Sequence, residues 1–169
     1  MESAQAEEQG EELKDQRYFP QGSHLEIQKQ IARIIRKASS SVWVYDPYMD
    51  EKLVEEMSGV NASDIRLLTE NLSPLLKQRF EALSRQYPTK SIGLKIFNAS
   101  HDRFYVIDQT YVWVLGASYN LAGGKATFLM KVVVTAEKQK IVKDFEIWWK
   151  AASGLEKLQA VVKTRQDKG

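Results

Sequence analysis

The residues best suited to chemistry lie in the segment 100–108, SHDRFYVID, which holds one of only two histidines in the chain. His101 and Arg103 are two positions apart at the head of an apolar run, so in a strand their side chains project from the same face. Both side chains need polar partners, which makes a purely apolar setting costly. Beside a phosphate, a guanidinium binds two oxygens and an imidazole can attack phosphorus or donate a proton. The pair therefore indicates phosphate chemistry.

Two further polar groups follow this pair along the chain. Asp108 stands five residues after Arg103, and the next apolar run ends in GASYN at 116–120. Ser118 and Asn120 are two residues apart just past a predicted strand, where their side chains are placed to donate hydrogen bonds to phosphate oxygens. A lone His-x-Arg pair also fits a surface or structural role, but these additions at fixed spacing favour a phosphate site.

The combined pattern resembles the motif of the phospholipase D superfamily, which is H-x-K-x4-D followed by a G-S-x-N-like element. Here it stands as His101-x-Arg103-x4-Asp108 followed by GASYN. The upstream stretch 34–57, IIRKASSSVWVYDPYMDEKLVEEM, resembles the opening helix, strand and D-P-Y turn of bacterial phospholipase D-like domains. The resemblance covers roughly residues 18–150 and includes the motif once.

The resemblance implies a phosphodiesterase mechanism that needs neither a metal nor a cofactor. In the family, one histidine attacks phosphorus to give a phosphohistidine, a second histidine protonates the leaving oxygen, and water resolves the intermediate. Carried over to this chain, His101 is the nucleophile or general acid and Arg103 clamps the phosphate. Ser118 and Asn120 are supporting donors, and Asp108 completes the catalytic motif in a more structural role.

The resemblance also implies a homodimer. The mechanism needs two histidines, and His24, the other one, lies at the start of a predicted helix, where it is interpreted as a surface residue. A single motif per chain then predicts that two copies of His101 meet across a two-fold axis, as in single-motif members of the superfamily.

Three features depart from the family pattern. Arginine replaces lysine at position 103, which keeps the charge but changes its geometry. The spacing from Asp108 to Ser118 is slightly long, and no acidic residue occurs between Leu121 and Ala136, where active members often carry a glutamate that orients the histidine. Asp46, at the end of the first buried strand, is a candidate substitute. Tyr105 shares the parity of His101 and Arg103 and is a candidate to line the site or the core.

Two main functions remain open from the sequence. The first is a metal-independent phosphodiesterase (hydrolase), most simply a nuclease working as a homodimer. The second is a non-catalytic phosphate- or nucleic-acid-binding module with the same fold, which the missing glutamate and the arginine favour. A lipid phosphodiesterase is disfavoured because the sequence has no apolar interfacial segment. On the predicted first helix, a basic face is interpreted either as solvated surface or as a nucleic-acid contact, and it comprises Lys29, Arg33, Arg36 and Lys37.

Apolar periodicity predicts an α/β sandwich with a mixed sheet flanked by helices. The strands are predicted at 41–46, 64–70, 91–97, 102–108, 111–116 and 128–134, the fourth and fifth forming a hairpin across Gln109 and Thr110. Helices are predicted from a Ser23–Glu26 capping box, after Asp46-Pro47 with Leu53, Val54 and Met57 facing inward, from Ser73-Pro74, and over the segment that ends at Gly154, with a final helix to about 163.

Charge and composition limit the partners. Residues 1–17 hold six acidic and two basic residues, a net charge of −4, and are predicted to be a flexible arm before a domain at 18–169. Because the whole chain carries +2, the part after residue 17 carries +6. That basic balance suits nucleic acid. The chain has no cysteine, so thiolate chemistry and disulfides are excluded. No stretch approaches the roughly 20 apolar residues of a membrane span, and the start lacks a signal-peptide core, so we expect a cytoplasmic protein without membrane insertion.

Overall fold

The computed structural model describes residues 15–116 and 124–154. Within these ranges the helices are α1 (His24–Arg36), α2 (Glu51–Glu56), α3 (Pro74–Gln86) and α4 (Thr135–Ala151), with a 3-10 turn at Met57–Gly59. The strands are β1 (Gln16–Phe19), β2 (Ser41–Tyr45), β3 (Asp64–Thr69), β4 (Ser91–Ile96), β5 (Arg103–Ile107), β6 (Tyr111–Leu115), β7 (Thr127–Lys131) and β8 (Ser153–Gly154).

The strands form one mixed sheet in the order β1-β7-β6-β5-β2-β3-β4-β8. Strands β2, β3 and β4 run parallel, as expected where a helix connects each strand to the next. The other neighbouring pairs are antiparallel, including the predicted β5–β6 hairpin. The prediction of an α/β fold with a mixed sheet is confirmed.

Helices cover both faces of the sheet, which explains why β2 is apolar at every position. Val42 and Val44 point toward the layer that contains α1, α2 and α3. Trp43 and Tyr45 point to the opposite face and pack with residues of α4. Since successive strand side chains alternate between faces, a central strand between two helical layers needs apolar residues of both parities.

Aromatic rings dominate the core beneath α4. Phe145 is fully buried and stacks on Trp43, with 5.3 Å between ring centroids, and on Trp149 at 6.3 Å. Gly93 in β4 makes room for the indole, because a Cβ at this position would lie 2.8 Å from two ring atoms of Trp149. The four tryptophans therefore pack in or against the interior.

Some local features differ from the sequence-based expectations. The predicted capping box is wrong, since the Ser23 hydroxyl donates to the carbonyl of Pro20 (2.7 Å) and makes no capping bond to α1. Strands β1 and β8 were not predicted, and β1 includes Gln16 and Arg17 from the segment assigned to the acidic arm. The rest of that arm and the predicted final helix fall outside the described residues.

Candidate active site

Three strand ends bring the motif residues to one edge of the sheet. Strand β2 ends at Tyr45, which pairs with Phe104 near the start of the antiparallel β5. Arg103 in turn pairs with Leu115 at the end of β6. The edge where β2 and β6 end and β5 begins, called here the Arg103 edge, therefore gathers Asp46, His101, Arg103 and Gly116. Ser118 and Asn120 follow Gly116 in the chain and fall outside the described residues.

Arg103 joins three segments at this edge. Its side chain is buried, and its Nη1 donates to the carbonyl of His101 and, at 3.5 Å, to the carbonyl of Gly116. Its Nε lies 3.7 Å from Oδ1 of Asp46. The guanidinium thus places a positive charge at the edge and fixes the backbone of the loop that carries His101.

Asp46 is fully buried and faces Arg103. Its Oδ1 also accepts a hydrogen bond from the backbone N–H of Tyr48 at 2.9 Å, which shapes the turn after β2. A buried carboxylate is stable only when it is paired and hydrogen-bonded. Asp46, the candidate orienting acid, is therefore held by structural contacts with Arg103 and with the D-P-Y turn.

His101 is exposed on the loop before β5. A buried phenol holds this loop, because the oxygen of Tyr45 accepts from the backbone N–H groups of Ala99 (2.9 Å) and Ser100 (3.2 Å). The Ser100 hydroxyl then accepts from the N–H of Asp102 at 3.0 Å. Sequence reasoning missed this role of Tyr45, for which the only signal is a phenol at the end of a buried strand.

Asp108 lies at the opposite end of β5 and binds a turn instead of the edge. Its carboxylate accepts from the backbone N–H groups of Ser39 (3.0 Å), Ser40 (2.8 Å) and Ser41 (3.1 Å), and from the hydroxyls of Ser39 and Ser40. Burial raises the pKa of Asp108, but the hydrogen bonds from Ser40 and Ser41 outweigh it and hold the pKa at about 2. The motif aspartate therefore closes the α1–β2 turn onto β5.

The remaining candidates are distributed around the site. Tyr105 shares the face of Arg103 but is fully buried in the core beneath α1, α2 and α3. His24 is exposed and begins α1. Within residues 15–116 and 124–154, no three acidic or histidine side chains gather as a possible metal site. In the same ranges, no helix combines the length and the apolar character that a membrane crossing requires.

The sequence matches no protein-family model and no curated protein. Solved structures, in contrast, superpose on almost the whole fold. NucT from Helicobacter pylori matches with a TM-score of 0.61 and 13% identity over 83% of this chain and 98% of its own. Nuc from Salmonella typhimurium, a phospholipase D family member, matches with a TM-score of 0.56 and 13% identity over 82% of this chain and 95% of its own. The chain has the phospholipase D fold.

Two further solved structures match this chain over part of their own length. TrmBL2, described as an archaeal chromatin protein with a novel mode of DNA binding, matches with a TM-score of 0.60 and 12% identity, over 91% of this chain and 64% of its own. The phosphatidylserine synthase of Haemophilus influenzae matches with a TM-score of 0.58 and 17% identity, over 80% of this chain and 36% of its own. The likeness concerns the fold, and the activity must be argued from this chain's own site.

Proposed function

We propose that the protein is a metal-independent phosphodiesterase that cleaves nucleic acid. The observation that carries this proposal is the exposed His101 on an anchored loop, directly beside the buried cation of Arg103. An exposed imidazole can reach phosphorus, and a cation at its base attracts the phosphate oxygens. Ser118 and Asn120 follow β6 in the sequence, and Leu115 at the end of β6 pairs with Arg103, so we assign these side chains as further donors to the phosphate.

In the proposed reaction, a ring nitrogen of His101 attacks phosphorus and the bond from phosphorus to the leaving oxygen breaks. A second histidine gives its proton to that oxygen. Water then attacks the phosphohistidine and returns a proton to the second histidine, which restores both residues and releases the phosphate monoester. The proposed chemistry uses no metal and no cofactor.

We propose that the second histidine is His101 of a second copy in a homodimer. The only other histidine of the chain, His24, opens α1 and is exposed. In a two-fold arrangement the Arg103 edges of the two copies face each other, and each contributes one imidazole to a shared site. Arg103 is then a positioning residue for the loop of His101 as well as a source of positive charge.

Nucleic acid is the proposed substrate because the part of the chain after residue 17 carries +6 and because TrmBL2, with the same fold, is a chromatin protein that binds DNA. Multiple positive charges favour a polyanion over a single small phosphoester. The intracellular nucleic acid pool fits the cytoplasmic location that we propose with it.

Cleavage of labelled single- and double-stranded DNA and RNA in EDTA tests the proposal. The wild type should cleave at least one of the four, and H101A should lose on the order of 10³-fold or more in rate, because a nucleophile is removed. H24A removes the other exposed histidine and should leave the rate unchanged. Cleavage lost equally in H24A would place the second histidine in the same chain instead of a second copy.

One observation favours a second function, that of a non-catalytic nucleic-acid-binding module. The guanidinium of Arg103 is engaged by the fully buried Asp46 and by two backbone carbonyls, so part of its charge is already compensated. A binding module should bind DNA or RNA with equal affinity in the wild type and in H101A, with no turnover in either. Absence of cleavage by the wild type on all four substrates would therefore replace the first proposal with this one.

A further inference from the structure

A cavity lies at the opposite end of β5 from Arg103. It encloses about 460 Å³ between the last turns of α1 and strands β5, β6 and β7. Ile107, which contributes to it, is four residues along β5 from Arg103, roughly 13 Å at the rise of a strand. The cavity floor is apolar and formed by Ile34, Ile107 and Trp113, each of which is buried. Its volume is within the range of small-ligand pockets.

Cations surround this apolar floor. Arg33 and Lys37 extend from α1 and Lys131 from β7, and among the described residues no acidic side chain lines the cavity. Asp108 is adjacent in the chain to Ile107, but its carboxylate is held by the turn at 39–41. The cavity therefore presents positive charge above an apolar base, which selects an anion with an apolar or aromatic part.

Aromatic rings form the remaining wall. Tyr111 is 48% exposed, so its ring is available to a ligand. The Nζ of Lys131 lies 5.4 Å from the ring centroid of Tyr111 and 5.9 Å from that of Trp113, so the ammonium is held against both rings. A cation fixed beside an exposed phenol matches a phosphate attached to a planar base, since the ring stacks on the base and the cation binds the phosphate.

We propose that this cavity binds a nucleotide unit, with its phosphate on Lys37 and Lys131 and its base against Tyr111. The chemistry is that of a phosphate joined to an aromatic base, supplied either by a free mononucleotide or by one nucleotide of a single strand. Cations near the C-terminal end of α1 also interact favourably with the helix dipole. Lys131 belongs to a strand, so the helix dipole does not explain its position. The site does not depend on hydrolysis at His101, which is at the other end of β5.

Binding is measured by calorimetry in H101A, so that cleavage cannot occur. The probes are adenosine 5′-monophosphate, adenosine, inorganic phosphate and a short single-stranded DNA. The double variant K37Q/K131Q should weaken binding about tenfold or more, because two charged hydrogen bonds to phosphate are removed. For the DNA, the slope of log K against log salt should become less negative by roughly 1.4, about 0.7 for each lysine. K143Q/K150Q, which removes two exposed lysines of α4 on the other face of the sheet, is the charge-matched control.

Variants at Tyr111 separate the base from the phosphate. Y111L should weaken binding of the mononucleotide about tenfold, as expected when one stacking ring is lost, and leave inorganic phosphate unaffected, whereas Y111F should bind as the parent does. Thermal unfolding of each variant checks that the fold is retained. Binding of DNA alone, sensitive to these changes, supports a strand as the source, and binding of the mononucleotide supports a free ligand.

No binding of either nucleotide probe at millimolar concentration would overturn the proposal. An equal loss in K143Q/K150Q and in K37Q/K131Q would also overturn it, because the attraction would then be a general effect of charge. Since every measurement is made without His101, this result is independent of whether the protein proves to be a phosphodiesterase.

Discussion

At the scale of single residues, the motif His101-x-Arg103-x4-Asp108 serves two ends of one strand. His101 and Arg103 lie at the edge where β2 and β6 end, and Asp108 lies at the far end of β5 in the loop to β6. A spacing of five residues between Arg103 and Asp108 spans a strand from end to end. The motif therefore couples a reactive pair to a structural anchor.

Replacing Asp108 tests the anchor. The change D108N keeps the side-chain shape and a residue type that tolerates the positive φ of 55° at this position. It removes the negative charge of the carboxylate, which accepts hydrogen bonds from three backbone N–H groups and two hydroxyls. The free energy of unfolding at pH 7 should therefore fall by about 1–3 kcal/mol in urea titrations. D144N, at an exposed carboxylate of α4, should change it by less than about 0.5 kcal/mol.

The pH dependence of the free energy of unfolding also tests the anchor at Asp108. Because the pKa of Asp108 in the folded protein is about 2, below its ordinary value of 3.8, its contribution is complete above the ordinary value and is lost as the pH falls toward 2. The wild type should therefore lose more stability than D108N between about pH 5 and pH 2. Parallel curves for the two proteins in this range would show that Asp108 is not anchored as described.

Replacing Arg103 tests the buried pair. R103A leaves Asp46 fully buried without its cation, and the free energy of unfolding should fall by about 3–5 kcal/mol. R103K retains the charge but loses the fork geometry and should cost about 1–2 kcal/mol. A loss below about 1 kcal/mol in R103A would mean that the guanidinium is not held by Asp46.

The pairing of Arg103 with Asp46 could not be predicted from the sequence. The pattern placed both residues near strand ends, but their meeting depends on β5 running antiparallel beside β2 with Tyr45 opposite Phe104. Strand order and register are long-range properties that local periodicity does not contain. The same reason hid the contact of Tyr45 with the His101 loop.

At the scale of elements, apolar runs were sufficient for the central strands and not for the sheet margins. Strands β2 to β7 follow runs of apolar residues, and α3 begins at Pro74 after the N-cap Ser73, whose hydroxyl accepts from the N–H of Leu76. Strand β1 has the sequence QRYF and pairs only with β7, and β8 has two residues. Such short marginal strands are defined by a neighbour's free edge and leave little local pattern.

The packing of α4 on β4 can be tested at Gly93, which faces Trp149. G93A would bring a Cβ within 2.8 Å of the Trp149 ring, which is wedged against the sheet, so the free energy of unfolding should fall by about 1–3 kcal/mol. G59A is the matched control, since its Cβ would meet only Arg36 Nε at 3.7 Å, and it should be neutral or stabilising by about 0.5 kcal/mol. Equal effects in the two variants would contradict the packing of α4 on β4.

At the scale of the whole molecule, the phospholipase D fold assigns different tasks to opposite edges of the sheet. The Arg103 edge gathers the residues proposed for catalysis, and the opposite edge holds the turn anchored by Asp108 and the cationic cavity beside Tyr111. Under the two proposals, a strand of nucleic acid that reached both edges would be bound at one edge and cleaved at the other. The fold was predictable from the sequence because the helices and the central strands were predictable from it. The cavity beside Tyr111 was not, because it depends on how α1 crosses the sheet.

Mixing of subunits tests the proposed shared site. If two copies of His101 serve one site, only dimers with two wild-type subunits are active. Equal amounts of wild type and H101A that have exchanged subunits should then retain about a quarter of the activity of the same number of wild-type dimers. Independent sites in each chain would leave about half. A tag on one of the two proteins allows the mixed dimers to be isolated and assayed directly, and sedimentation of the wild type establishes whether dimers form.

Covalent labelling tests directly whether His101 attacks phosphorus. The wild type is mixed with DNA labelled at its internal phosphates, quenched in alkaline denaturant and digested with trypsin, and the labelled peptides are identified by mass spectrometry. We expect label on the peptide 96–103, which contains His101, and none on this peptide in H101A. Cleavage of the DNA without a covalent adduct, a label on another residue, or binding without either cleavage or adduct would contradict this expectation.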